Sequence, residues 1–173
     1  MKTRDMAYIA LVAVLISVCS WLSVPSVIPF TMQTFGVFCA LLLLGGRRGS
    51  IAVLLYIVMG AVGLPVFSNF TGGVGKLMGP SGGYIFGFLL TALCYWGMTA
   101  LLGEKPLIKI LGLAAGLVLC YAFGTLWFVE VYSRSEPIGI ISALSMCVFP
   151  FILPDAIKLA LAAEKLLKNR IKQ

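Results

Sequence analysis

The chain has 173 residues, 61% hydrophobic and 11% charged, with a net charge of +7, whereas an ordinary soluble domain carries roughly 45 to 50% apolar and about 25% charged residues. This composition excludes a soluble domain and marks an all-α integral membrane protein of one domain, 1–173, since apolar runs of helical length also exclude a barrel of alternating strands of about 10 residues. Histidine is absent, and Cys19, Cys39, Cys94, Cys120 and Cys147 lie singly in apolar runs with no CxxC pair, which argues against a metal centre, a disulfide framework or a metal cofactor.

Lys2 and Arg4 make a basic start, and the first span covers about 6–24. It is too long, and too poor in a small-residue cleavage site, for a secretory signal. Ala7, Ala10 and Ala13 fall at helical spacing, with Ser17 continuing the row. Either they let a second helix approach closely or they reflect alanine's helix propensity alone. Pro25 to Gln33 holds two prolines and no charge, an extended connection. Two short spans follow, about 34–46 and 51–64, separated by the basic turn Gly45-Gly46-Arg47-Arg48-Gly49-Ser50.

The stretch from Val66 to Gly83 is dense in glycine and polar residues, with Thr71, Gly72, Gly73, Lys76, Gly82 and Gly83 as candidate site residues. Irregular backbone at membrane depth survives only inside protein or beside a water-filled cavity. A cavity wall is favoured over a flexible loop because Gly79-Pro-Ser-Gly-Gly83 runs directly into a helix. No Gly-Lys-Ser or Gly-Lys-Thr occurs, so it is not a nucleotide-phosphate loop. The fourth span covers 84–102. After a second basic turn with Lys105 and Lys109, the fifth covers about 110–131 and carries Tyr121, Phe123 and Trp127, as an interfacial belt or as cavity lining.

In the last third, Asp155 and Lys158 stand inside apolar sequence. A charge at the centre of a bilayer costs on the order of 2.5 to 3.5 kcal/mol, so it needs a partner or a polar cavity. Proline is favoured in the first helical turn, where an acid also meets the positive end of the dipole. Pro154-Asp155 is therefore expected to start a last span, 154–172, leaving 138–149 as a re-entrant or capping segment. Asp155 and Lys158, three apart, share one face near the entry end of that helix.

Six spans place both termini on one side. If that side is the cytoplasm, it receives Lys2, Arg4, Arg47, Arg48, Lys105, Lys109 and the tail residues Lys165, Lys168, Arg170 and Lys172. The other side receives only Lys76 and Arg134, the asymmetry of the positive-inside rule. The charge thus orients the chain and does not signal nucleic acid. The proline loop, the glycine-rich stretch and the entry end of the last helix all fall on the outer side, where one cavity is expected.

Pro29-Phe-Thr-Met-Gln33-Thr-Phe-Gly36, the Gly45 to Gly49 turn, Gly79-Pro-Ser-Gly-Gly-Tyr84, the Tyr121 to Trp127 pattern and Pro150-Phe-Ile-Leu-Pro-Asp155-Ala-Ile-Lys158 resemble the BioY family. Its members are the biotin-specific S components of energy-coupling factor (ECF) transporters. The resemblance covers nearly the whole chain and implies the S-component fold in a prokaryotic cell membrane. It also implies no ATPase activity, biotin captured in an outward-facing cavity, and coupling through the first helix, at Ala7, Ala10 and Ala13, to a T component carrying two ATP-binding cassette ATPases.

Asp155 and Lys158 match the family's polar pair. Thr71 matches a position where relatives can carry a polar amide, while Ile85 stands where some relatives have arginine. An ionised Asp155 suits the ureido N–H donors of biotin, and Lys158 or Lys76 its carboxylate. Thr71 and loop amides suit the ureido carbonyl, and Tyr84 and Trp127 give apolar cover, with Gln33 in the proline loop completing the set. The alternatives are an S component for another vitamin, a small intramembrane enzyme, and a structural subunit in which Asp155 and Lys158 are a buried ion pair without a ligand.

Overall fold

A computed structural model describes residues 2–24, 28–133 and 138–171, with side chains as far as Glu164. Pro25 of the proline loop, Arg134 and the rest of 134–137, and Lys172 lie outside the described residues, as do the side chains of Lys165, Lys168 and Arg170.

Helix α1, Thr3–Trp21, opens with the Lys2 amide donating to the Asp5 carboxylate at 3.4 Å, which satisfies a donor at the helix start. The proline loop is pinned by a two-residue ribbon, β1 (Ser23–Val24) against β2 (Phe30–Thr31), antiparallel with Ser23 opposite Thr31. Helix α2 is assigned to Gln33–Ala61 but breaks at Gly45, whose φ of 76° and ψ of 173° suit glycine. The chain reverses there. Gln33 Nε2 reaches Tyr56 OH at 2.8 Å, although a straight helix would set them roughly 35 Å apart at 1.5 Å per residue. A Cβ on Gly49 would lie 2.9 Å from Leu41 Cα. The two short arms expected from the sequence are therefore an antiparallel pair. The turn is tighter than expected, however, and Arg47 and Arg48 already belong to the second arm.

A 3₁₀ turn, Ser68–Phe70, and a short helix α3, Val74–Met78, occupy the glycine-rich stretch. Helix α4, Gly82–Leu102, then pairs with α5, Pro106–Tyr132, whose first residue is the proline favoured at that position. Small residues bring these two helices together in antiparallel register. A Cβ added to Gly83 would lie 2.3 Å from Trp127 Cβ, one on Gly87 2.6 Å from Cys120 Sγ, and one on Gly116 2.8 Å from Thr91 Cα. Thr91 Oγ1 also donates across the seam to the Gly116 carbonyl at 2.8 Å.

Helix α6, Ile140–Cys147, and helix α7, Phe149–Ile171, are bent by 41° at Val148. Here the sequence expectation needs correction, because α7 starts at Phe149 and not at Pro154. Pro150 takes the first-turn position that suits proline, and the amides of Phe151 and Ile152 both bond the Val148 carbonyl, at 2.9 and 3.1 Å. Pro154 is inside the helix. Asp155 accordingly lies about 9 Å into α7 rather than at its end.

Among the described residues, four helices are long and apolar enough to cross a membrane (α1, α2, α4 and α5), and the bent α6–α7 pair adds a fifth when taken as one broken span. The core gathers Phe38, Leu41, Tyr56, Phe67, Tyr95 and Leu113. Leu11, Leu54, Leu93, Val118, Leu126 and Leu153 are exposed instead, an apolar outer surface that lipid can cover.

Candidate functional site

A cavity with about 60 Å³ of free interior volume opens between α2, α4, α5, α6 and α7 beneath the proline loop. Asp155 and Lys158 form its charged floor and are 2% and 4% exposed. Lys158 Nζ donates to Asp155 Oδ1 at 2.7 Å and to the Thr31 carbonyl at 2.7 Å, and lies 4.3 Å from the centre of the Phe30 ring, in cation–π reach. Tyr121 OH donates to Asp155 Oδ2 at 2.5 Å. Both carboxylate oxygens are engaged, yet each keeps a lone pair for a further donor. The pair is thus partnered rather than stranded, which is the condition for keeping charge out of water.

Gln33 stands beside this network. Its Nε2 donates to Tyr56 OH, and its backbone amide bonds Thr31 Oγ1 at 3.2 Å. Oε1 takes no donor among the described residues. The β1–β2 ribbon fixes Thr31, which serves as both the carbonyl for Lys158 and the hydroxyl for Gln33.

The walls are apolar: Ile85 and Phe88 from α4, Leu117 from α5, Phe151 from α7. Cys120 and Cys147 join them, and Tyr84 lines the cavity with its hydroxyl 3.1 Å from Thr125 Oγ1. Ile28 and Pro29 of the proline loop, with Ser68 and Ser81, complete the lining. Ser68 precedes Asn69 and Phe70, at φ of 59° and 56°, left-handed conformations uncommon outside glycine. Asn69 Oδ1 accepts from Ser23 Oγ at 3.0 Å, Phe70 stacks on Trp21 with ring centres 5.0 Å apart, and Phe67 bridges to Thr71. These contacts hold the turn.

Of the residues expected from the sequence, Gln33, Tyr84, Asp155 and Lys158 come together on the cavity wall. The others build its surroundings. Thr71 Oγ1 donates to the Ser68 carbonyl at 2.8 Å, and Gly73 N–H to the Gly60 carbonyl at 2.7 Å. A side chain on Gly72 or Gly82 would run into the Leu64 or Leu77 carbonyl. Gly83 makes room for Trp127, whose Nε1 donates to the Gly79 carbonyl at 3.1 Å. Lys76 is off the wall, and partial burial pulls its pKa down.

Thr31, Tyr121, Ser68 and Ser81 were not foreseen as site residues. For Thr31 and Tyr121 the signal was present, since both lie in stretches singled out for other members. On α1, Ala7 and Ala10 are exposed while Ala13 is fully buried against the rest of the chain. The row of alanines therefore turns inward at its third member, because spacing of three lags the 3.6-residue turn.

A model described as the BioY family matches residues 1–171. The biotin transporter BioY of Thermotoga maritima is 40% identical over 164 residues, 92% of each chain. A probable biotin transporter BioY of Pyrococcus horikoshii is 35% identical over 173 residues, 98% of this chain and 99% of that one. Among solved structures, the S-component for biotin from an ECF-type ABC transporter matches with a TM-score of 0.84 and 26% identity, over 100% of this chain and 95% of that chain.

Proposed function

The chain belongs to the BioY family, and on that premise we propose that it is the substrate-binding component of an ECF-type biotin transporter. It binds a vitamin and does not transform it. The observation that carries the reading is the buried Tyr121–Asp155–Lys158–Thr31 network on the floor of an otherwise apolar cavity. Biotin offers two ureido N–H donors, one carbonyl, an apolar bicyclic body and a carboxylate-tipped chain. Asp155 and the free Oε1 of Gln33 accept from the N–H groups, Lys158 and Thr31 Oγ1 donate to the carbonyl, and Phe88, Leu117 and Phe151 cover the apolar body. The glycine-rich segment with Thr71, Gly72, Gly73, Lys76, Gly82 and Gly83, together with Trp127, supports the wall around this site.

Counting the two arms of α2 separately gives six passes through a prokaryotic cell membrane, with both termini in the cytoplasm as the basic residues require. The cavity mouth then faces outward. Without a nucleotide site, the chain draws its work from a T component and two ATPases, and the exposed Ala7 and Ala10 face of α1 is the docking surface for the T component. Equilibrium binding of radiolabelled biotin to the purified protein tests the reading, with other vitamins as competitors. Saturable binding displaced only by unlabelled biotin is expected. Absence of binding, or displacement by a different vitamin, would overturn the assignment.

A further inference from the structure

A second cavity lies toward the other end of α4. That helix lines the first cavity with Tyr84, Ile85 and Phe88 and the second with Trp96, Thr99 and Ala100, so roughly 12 Å of helix separates Phe88 from Trp96. About 310 Å³ of interior volume is free there, between the α2 turn at 45–48, the end of α4 and Glu104. Turn and helix touch directly. A Cβ on Gly46 would lie 2.7 Å from Trp96 Cα and 2.8 Å from Cδ1 of its indole. Cδ1 is bonded to Nε1, so the N–H edge of the indole stands beside the turn that carries the two arginines.

Charge decides what this cavity can hold. Arg47, Arg48 and Glu104 line it. Arg48 Nη2 is held by Asp5 Oδ2 at 3.2 Å and Glu104 Oε2 by Lys109 Nζ at 3.0 Å, so these two bring their own counter-ions. Arg47 has no ion pair among the described residues. One positive charge is left over, which a phosphodiester with its single negative charge matches, and the guanidinium fork fits its two free oxygens. The setting is apolar on its other sides. Leu44, Trp96 and Ala100 edge the cavity, Leu43 and Leu93 beside it are exposed on the outer surface, and tryptophan favours the level of the lipid head groups.

We propose that this cavity binds the phosphate of an anionic phospholipid of the cytoplasmic leaflet, with Arg47 as its principal cation and Arg48 and Trp96 Nε1 as further donors. The leaflet rests on the orientation proposed above, in which both arginines face the cytoplasm, where anionic lipid is concentrated and basic pockets between helices take such head groups. A zwitterionic head group fits less well, because its own cationic group would stand close to Arg47. A lipid seated here ties the α2 turn to the end of α4 at the membrane surface.

The test is native mass spectrometry of the purified full-length protein in neutral detergent, titrated with short-chain phosphatidylglycerol or phosphatidylcholine. The wild type is expected to take one phosphatidylglycerol at least tenfold more tightly than phosphatidylcholine. Arg47→Ala should weaken that binding by roughly 10- to 100-fold, the range of a hydrogen bond to a charged group, at an unchanged apparent Tm in lipid-free detergent. Lys105→Ala, a basic residue of the same face outside the cavity, should change it by less than about twofold. No preference in the wild type, or an equal loss in Lys105→Ala, would overturn the proposal. Displacement of the lipid by millimolar inorganic phosphate would assign the cavity to a soluble anion and overturn the lipid source. Binding in detergent is independent of orientation, so failure here would leave the topology and the biotin reading standing. Thiol labelling of Arg48→Cys in intact cells would overturn the choice of leaflet alone.

Discussion

Asp155→Asn removes one charge from a place where two side chains, Lys158 and Tyr121, depend on it. Lys158, 4% exposed, keeps only the Thr31 carbonyl as a strong acceptor, and Tyr121 loses a charged one. Removing one partner of a buried pair costs about 3 to 5 kcal/mol of stability, because the other charge stays buried and unpaired. Binding suffers separately. The asparagine has a single acceptor oxygen and presents an NH₂ group toward incoming N–H donors, so the loss is about 2 to 4 kcal/mol. That corresponds to roughly 30- to 1000-fold in Kd.

Stability and recognition come apart in a second variant, Tyr121→Phe with Asp155→Leu and Lys158→Met. It removes the charges and the hydroxyl together. Replacing a buried pair by apolar side chains is often near neutral, so ligand-free thermal stability in detergent should return to within about 1 kcal/mol of the wild type. Biotin binding should remain lost. Binding within threefold of wild type in this triple variant would show that the ion pair is only structural, and a normal apparent Tm for Asp155→Asn would refute the account of its burial.

On α1, Ala10→Trp should abolish co-purification with the T component and ATP-driven uptake while the isolated protein still binds biotin, because Ala10 is exposed. Ala13→Trp should instead lose folded protein altogether, since Ala13 is fully buried; equal behaviour of the two variants would sink the proposed docking face. In a cysteine-free background, Val74→Cys should react with a membrane-impermeant thiol reagent in intact cells and Arg48→Cys only after the cells are opened. The reverse pattern would invert the topology. Gly116→Ala would press a Cβ to 2.8 Å from Thr91 Cα and should cost about 1 to 3 kcal/mol, read as a lower apparent Tm. An unchanged Tm would mean that the α4–α5 seam can open freely.

The charged floor was legible in the sequence because charge in apolar sequence has few explanations: Asp155 and Lys158 announce themselves. Their depth was not. Two prolines four apart offer two helix starts of equal merit by local rules, and the choice of Pro150 is made by the bend at Val148, a tertiary feature. The tight reversal at Gly45 was half legible, since the glycines and arginines marked a turn. A single left-handed residue sufficing for it was hidden, because any glycine of the run has that freedom. Ser68 and Ser81 were illegible as site residues, since a serine in a glycine-rich stretch carries no sign of where its hydroxyl points. Thr71 and Lys76 looked better placed and are turned elsewhere by the 3₁₀ turn and α3.

The bond from Lys158 to the Thr31 carbonyl joins residues 127 positions apart, and this bears on the order in which the protein is made. Synthesis runs from the N-terminus, so Thr31 in β2, Gln33 in α2 and Tyr121 in α5 are all made before α7 exists. Until then the cavity lacks one side. Asp155 and Lys158 arrive as neighbours on a single helix turn, able to neutralise each other during insertion before any distant partner is found. Docking of α7 is the late, long-range step, of the kind that topology makes slow. A ligand held between α7 and the earlier helices favours the docked state by mass action. The vitamin that this protein carries therefore also acts on the yield of its folded form.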